Sequence, residues 1–247
     1  MRLLTVLLVL LMEPLIPPSF SQEPIELHRK LDSRVEAYSL HCESLEDALT
    51  TVASDFQIPM GIQWIRDTQT SHRIDQSWNH VTASEIIKSL VSAYPGYEVR
   101  VGDVVEILPS AIDDEHDFLR LRVPSFQARN KWIAEADSTL HYLVKRLARH
   151  LPPPTPDEGE AGSFSAGPGG NLPVNVEALD VTLREILNRL IISAGQTTWV
   201  VTYPEHTSLM RNGLRRTASR DSGSVFEDEI QPVWVFVPWR RLGETLK

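Results

Sequence analysis

Residues 81–91 read VTASEIIKSLV, and residues 181–191 read VTLREILNRLI. In both stretches a Thr precedes an apolar helical pattern and a Glu follows three residues later. In this capping-box arrangement the Thr side chain caps the helix and the Glu side chain reaches back to the Thr backbone. Each stretch therefore predicts a helix that begins directly after the Thr. The shared Val, Thr, Glu and Ile favour a duplicated unit, although any capped amphipathic helix would carry the same pattern.

The same apolar spacing occurs four times in the chain. Starting from Leu45, Ala83, Leu140 and Leu183, apolar residues follow at offsets of 3, 4, 7, 8 and 11, which is one face of an α-helix. Helices of about 12 residues are marginal alone in water. Each of the four must therefore pack its apolar face against another element.

Short segments rich in β-branched and aromatic residues separate these helices and predict strands. The clearest pair flanks Gly102-Asp103, a two-residue turn that predicts a hairpin. The predicted strands are 58–64, 97–101, 104–108, 118–123, 174–179, 197–202 and 233–237. Short helices that alternate with strands predict an α+β fold. We expect two tandem small domains, each with two amphipathic helices packed on short β-strands.

The first 21 residues have the pattern of a secretory signal peptide. Met1-Arg2 gives a positive start, residues 3–12 are apolar, and Ser19-Phe20-Ser21 supplies a small-x-small cleavage pattern. The apolar run is too short for a membrane-spanning helix, which needs about 20 residues. We therefore expect an exported protein, periplasmic or extracellular, whose mature chain begins at Gln22 and has no membrane span. An uncleaved anchor is the alternative.

Composition divides the rest of the chain. Residues 37–117 carry 4 Lys/Arg against 14 Asp/Glu, whereas residues 118–247 carry 16 against 14. The predicted divisions are an N-terminal linker at 22–36, a first α+β domain at 37–110, an acidic linker at 111–117 and a second α+β domain at 118–247. Segments rich in Pro, Gly and charge predict flexible loops at 152–172 and 206–230.

Residues 44–49, 62–64, 81–87, 97–99 and 104–107 carry a further pattern. The elements of this part of the chain follow in the order helix, strand, strand, helix, hairpin. In this pattern, residues 39–108 resemble the short N-terminal domain shared by secretins and TonB-dependent signal transducers. Residues 118–238 resemble the same domain more loosely, through 181–190 and 199–201. The resemblance implies a small α+β fold of the bacterial envelope that contacts other proteins and carries no catalytic motif.

Composition and motifs restrict the chemistry that the chain can perform. The net charge of −9 opposes broad binding to nucleic acid. One cysteine, Cys42, rules out an intramolecular disulfide and a cysteine-based zinc cluster. The eight histidines show no metal-ligand spacing. We therefore predict no catalytic, cofactor-binding or metal-binding residues, no cofactor and no enzymatic activity.

Six tryptophans separate into two groups by their surroundings. Trp64, Trp199 and Trp234 lie in apolar strand patterns and are predicted to be core residues. Exposed residues that could contact a partner are predicted at Trp78, Trp239, Arg240 and Arg241.

Three hypotheses for function follow. The first is an exported, non-enzymatic protein-interaction module of the bacterial cell envelope, accessory to a secretion, pilus or signalling assembly, whose partners are other envelope proteins. The second is a secreted hydrolase or carbohydrate-active protein with paired carboxylates drawn from residues 43–117. The third is an accessory subunit whose partner covers the acidic first domain. The identity of the partner and the oligomeric state stay open.

Overall fold

The computed structural model describes residues 24–65, 72–110, 112, 117–148, 172–203 and 233–239. The predicted signal peptide, the predicted loop at 206–230 and nearly all of the predicted loop at 152–172 lie outside this part of the chain. The elements are α1 (Pro24–Leu31), β1 (Arg34–Cys42), α2 (Leu45–Asp55), β2 (Met60–Ile65), β3 (Ile74–Thr82), α3 (Ala83–Ser92), β4 (Tyr97–Val101), β5 (Val105–Pro109), β6 (Arg122–Trp132), α4 (Ile133–Ala148), β7 (Pro173–Thr182), α5 (Leu183–Ala194), β8 (Thr197–Tyr203) and β9 (Val233–Pro238). A 3₁₀ turn at Phe118–Arg120 precedes β6. The predicted α+β fold is confirmed.

Both predicted capping boxes are present. Thr82 accepts a hydrogen bond from the backbone N–H of Glu85, and the Glu85 carboxylate accepts one from the Thr82 backbone. Thr182 and Glu185 repeat the arrangement at the start of α5. The sequence therefore places the first residue of α3 and of α5 correctly. The apolar pattern that starts at Leu140 lies in α4, which begins seven residues earlier, at Ile133.

Replacing Thr182 by Ala should lower the free energy of unfolding by about 1 kcal/mol, because the Glu185 N–H loses its acceptor. Chemical denaturation of the wild type and the variant measures the change. Thr182→Ser keeps the hydroxyl and should retain most of the stability. An equal loss in the Ser and Ala variants would show that the methyl group, and not the cap, matters at this position.

The first capping box should also make stability depend on pH. The Thr82 backbone N–H, and then its hydroxyl, hold the pKa of Glu85 below the ordinary value of 4.5. A carboxylate with a lowered pKa in the folded state stabilises that state above its unfolded pKa, and the contribution is lost as pH falls through the folded pKa. Stability of the wild type should therefore fall more steeply below pH 4.5 than that of Glu85→Gln. Unfolding midpoints at several acidic pH values test this, and parallel curves for the two proteins would contradict it.

One five-stranded sheet joins the two halves of the chain. Its order is β4-β5-β2-β8-β9, with β2 parallel to both neighbours and the outer pairs antiparallel. Because β8 lies directly beside β2, the halves share one sheet, and the predicted division into two domains is not confirmed.

Both faces of the sheet are covered. All six residues of β2 are buried. Met60, Ile62 and Trp64 belong to a core that contains the buried residues of α1, α2 and α3. Ile65 and Trp199 belong to a second core with the buried residues of α4 and α5. A strand that is apolar on both sides is typical of a parallel position covered by helices on both faces.

Two long antiparallel ribbons, β1–β3 and β6–β7, have the same register up to the pairs Leu40–Gln76 and Ala128–Val176, after which β6–β7 has a register shift. Arg34 pairs with Thr82 and Arg122 pairs with Thr182, and five further pairs correspond in the same way. The residue two positions before each capping Thr, His80 or Asp180, has a positive φ. In the first half Ala83 N–H donates to the Ser33 carbonyl, and in the second Leu183 N–H donates to the Leu121 carbonyl.

The two hairpins of the sheet also correspond. β4 and β5 pair Tyr97 with Pro109, and β8 and β9 pair Thr197 with Pro238, with four further equivalent pairs in each hairpin. The second half therefore repeats β1, α2, β3, α3, β4 and β5 as β6, α4, β7, α5, β8 and β9. Among the described residues, β2 has no counterpart in the second half.

The sequence does not predict the first helix, the ribbon β1–β3 or part of the ribbon β6–β7. The predicted linker at 22–36 contains α1, whose Leu27 and Leu31 are buried, and the start of β1. β1 and β3 were not predicted because their outward positions carry residues of low strand propensity, such as Asp75 and Asn79. The strand predicted at 118–123 is a 3₁₀ turn followed by the start of β6.

Candidate functional site

A cluster of polar side chains lies between the shared sheet and α5. Gln63 from β2 and Glu106 from β5 contribute from the first half. Arg184 and Asn188 lie one helical turn apart on α5, and Asp117 lies just before the 3₁₀ turn. We call this set, together with Trp199 and Tyr203 of β8, the Arg184 cluster.

Arg184 bridges the two carboxylates. One guanidinium nitrogen lies 2.7 Å from Asp117 Oδ2, and the other lies 3.4 Å from Glu106 Oε2. The side chains of Arg184, Glu106 and Asp117 are 18%, 11% and 10% exposed, respectively. Ion pairs so far from solvent need further hydrogen bonds to offset the loss of hydration.

Those further hydrogen bonds are present on the Glu106 side. The Asn188 amide donates to Glu106 Oε1 at 2.8 Å, and Trp199 Nε1–H donates to Asn188 Oδ1 at 2.7 Å. Trp199 itself is fully buried and lies directly over Gly61, where an added Cβ would meet its ring at 2.0 Å. The glycine thus permits the close approach that places the indole N–H against Asn188.

The Asp117 side is equally well satisfied. Asp117 Oδ1 accepts hydrogen bonds from Gln63 at 2.9 Å and from the Leu119 backbone N–H at 3.1 Å. The Tyr203 hydroxyl donates to the same oxygen at 3.2 Å. Burial, and then the charge of Asp117, raise the pKa of Tyr203 above its usual range. The phenol therefore stays protonated and remains a donor.

The cluster is a closed network rather than an open pocket of free acids. Among the described residues, every buried side-chain nitrogen and oxygen has a hydrogen-bond partner. One guanidinium serves two carboxylates, and the remaining donors are neutral amide, indole, phenol and backbone groups. The corresponding positions of α3 carry Ser84 and Lys88, so the cluster belongs to the second copy of the helix alone.

The predicted partner-contact residues are not brought together. The Trp78 indole is half-buried and donates to Ser89 Oγ at 3.3 Å, and the Trp239 indole is half-buried and donates to Thr198 Oγ1 at 3.1 Å. Arg240 and Arg241 lie outside the described residues. The predicted core tryptophans Trp64, Trp199 and Trp234 are confirmed as buried.

The sheet ends in two edge strands of different character. β4 carries Glu98 and Arg100, whose side chains form an ion pair at 2.7 Å. β9 reads VWVFVP and carries no charge. Its Val235 is 46% exposed, and Val101 of β4 is 44% exposed. Within the described part of the chain, no strand pairs with the side of β9 opposite β8, which we call the open edge of β9.

Two residues of the sequence indicate the Arg184 cluster. A glutamate inside the apolar run of β5 and an arginine at the start of the α5 pattern both indicate buried charges that need partners. Glu106 is one of the carboxylates of residues 43–117 that the hydrolase hypothesis includes, whereas Arg184 was not a predicted site. Among the described residues, no group of three or more His, Cys, Asp or Glu side chains is placed to hold a metal ion. No helix in the described ranges is long and apolar enough to cross a membrane.

Comparison of the chain with protein-family models, with curated proteins and with solved structures found no match. The resemblance of residues 39–108 to the secretin and transducer domain therefore stays a prediction.

Proposed function

We propose that the chain is an exported, non-enzymatic protein-interaction module of the bacterial cell envelope, accessory to a secretion, pilus or signalling assembly. The observation that carries this proposal is the shared sheet with an uncharged outer strand, β9, whose open edge has no paired strand in the described chain. Soluble proteins normally protect such edges with charge, proline or a covering element. β9 carries no charge, and its proline, Pro238, stands only at its end. Extended segments of other proteins bind by adding a strand to edges of this kind.

Two further observations support the proposal. The signal-peptide pattern of residues 1–21 favours export, and the resemblance of residues 39–108 favours a module that contacts envelope proteins. The half-buried tryptophans at 78 and 239 use their N–H groups within the chain, so they support the proposal less than β9 does.

Cross-linking in intact bacteria tests this function. A C-terminally tagged chain is expressed in its source bacterium, treated with an amine-reactive cross-linker and purified under denaturing conditions. We expect a discrete adduct with an envelope protein, and no such adduct when residues 2–21 are deleted. Fractionation of the tagged chain into the cytosol, or an identical adduct pattern without residues 2–21, would contradict the proposal.

Among the described residues, the hydrolase hypothesis concerns the carboxylates of Glu106 and Asp117, which one arginine brings together. Their contacts favour a structural role, because Arg184 holds both and each is nearly buried. We expect Glu106→Gln and Asp117→Asn to lower thermal stability and the wild type to cleave none of a panel of glycan and peptide substrates. Turnover by the wild type that both variants lose while remaining folded would establish the hydrolase instead.

A further inference from the structure

The internal repeat indicates which kind of strand fits the open edge of β9, where the described residues place none. The hairpins β4–β5 and β8–β9 have equivalent registers, so β9 holds the position that β5 holds in the first half. β5 is paired on its other side by β2, in parallel. The equivalent place beside β9 contains no strand among the described residues. The described residues of the second half therefore leave unfilled a strand position that β2 fills in the first half.

The backbone of β9 is oriented to form hydrogen bonds with a strand in that position. In the first half, Val105 N–H points to β2 and donates to the Pro59 carbonyl at 3.0 Å. Val105 pairs with Val101, as Trp234 pairs with Val201, so Trp234 is the equivalent residue. Alternate residues of a strand direct their N–H groups to the same side. The N–H groups of Trp234 and Phe236 therefore point to the open edge.

The side chains of β9 and β2 indicate the chemistry of a strand that fits the open edge of β9. The position of Glu106 in β5 is taken in β9 by Val235, which is 46% exposed and has no charged neighbour on its own strand. An added strand that carries charge would lose hydration against this surface without gaining an ion pair. β2, which fills the equivalent place, reads MGIQWI and is uncharged.

We infer that the open edge of β9 binds an extended, uncharged segment of a partner protein, rich in β-branched and aromatic residues, which lies parallel to β9 as β2 lies parallel to β5. This inference rests on the proposed function and names the chemistry of the partner segment. Main-chain hydrogen bonds to Trp234 and Phe236 give affinity, and contact with Val235 selects an apolar side chain.

A peptide that copies β2 is the direct probe. It contains residues 58–65, IPMGIQWI, with two lysines at each end for solubility and a fluorophore at its N-terminus. Binding to the full-length chain is measured by fluorescence anisotropy, and hydrogen exchange reports which amides are protected. We expect saturable binding, and new protection at Trp234 and Phe236.

Two surface variants provide a matched comparison. Val235→Lys places a charge beside the open edge and should weaken peptide binding at least about tenfold, as edge lysines do against strand addition. Val101→Lys makes the same change on β4 at nearly equal exposure and should leave binding unchanged. A peptide of the same composition in scrambled order should bind the wild type no better than the β2 peptide binds Val235→Lys.

Each contrary result identifies a different error. Protected Trp234 and Phe236 amides in the free monomer would show that the chain covers its own edge. Dimerisation that the peptide reverses would assign the edge to a second copy. If Val101→Lys weakens peptide binding as much as Val235→Lys does, or if the scrambled peptide binds as tightly as the β2 peptide, the binding reflects only general apolar attraction. Any of these overturns the inference, whereas the proposed function fails only if the cross-linking in bacteria fails.

Discussion

Replacing Arg184 by Met should lower the free energy of unfolding by about 3–5 kcal/mol, because it leaves two nearly buried carboxylates without their cation. Glu106 and Asp117 would keep their neutral donors, Asn188, Gln63 and Tyr203. Those donors do not supply the positive charge that offsets burial of two anions. A loss of this size is a large part of the total stability of an ordinary domain.

Urea denaturation with a tryptophan fluorescence signal measures the effect. Arg189→Met is the matched control, since Arg189 lies on the same helix, is exposed, and donates to the Glu177 carbonyl at the surface. It should cost less than about 1 kcal/mol. Adding Glu106→Gln and Asp117→Asn to Arg184→Met should recover part of the loss, because the uncompensated charges disappear. If the triple variant is less stable than Arg184→Met, the electrostatic explanation is wrong.

Replacing Gly61 by Ala should lower the free energy of unfolding by about 3–5 kcal/mol, comparable to the loss from removing a buried tryptophan. The new Cβ would lie 2.0 Å from Trp199 Cζ2, a distance that no small adjustment relieves. Trp199 must therefore leave its site. Its indole N–H then loses Asn188, which in turn holds Glu106. A single methyl group thus disturbs both the second core and the Arg184 cluster.

Thermal unfolding of Gly61→Ala and Gly102→Ala compares two glycines with opposite surroundings. A Cβ at Gly102 meets no atom within 4 Å, so that variant should unfold close to the wild type. Combining Gly61→Ala with Trp199→Leu should cost less than the sum of the two single changes, because the smaller side chain makes room for the methyl. Additive losses would show that the two residues do not compete for space.

Local features of the fold were predictable from the sequence. The capping boxes place α3 and α5, and the apolar strand patterns place Trp64, Trp199 and Trp234 in the core. These signals are contained within a few consecutive residues. The ribbons β1–β3 and β6–β7 were harder to predict, because their outward faces are polar and only their pairing reveals their length.

The Arg184 cluster was not predictable because its members are far apart in the chain. Glu106 and Arg184 become neighbours only when β8 pairs with β2 and brings α5 over the sheet. The fit of Trp199 to Gly61 depends on shape, which no sequence pattern records. The same pairing places strands of the two expected domains in one sheet. Complementary surfaces of this kind are visible only in three dimensions.

The central place of β2 also has a consequence for how the polypeptide reaches its native state. Its pairing with β8 joins residues 61–65 to 199–203 of the 247 residues, so the strand lacks one neighbour until about four fifths of the polypeptide has been synthesised. Contacts between such distant residues slow the search for the native topology, typically to milliseconds or longer. A nascent polypeptide whose apolar strand is still unpaired on one side is prone to aggregate. Chaperones that hold nascent polypeptides unfolded would serve this protein most before β8 emerges.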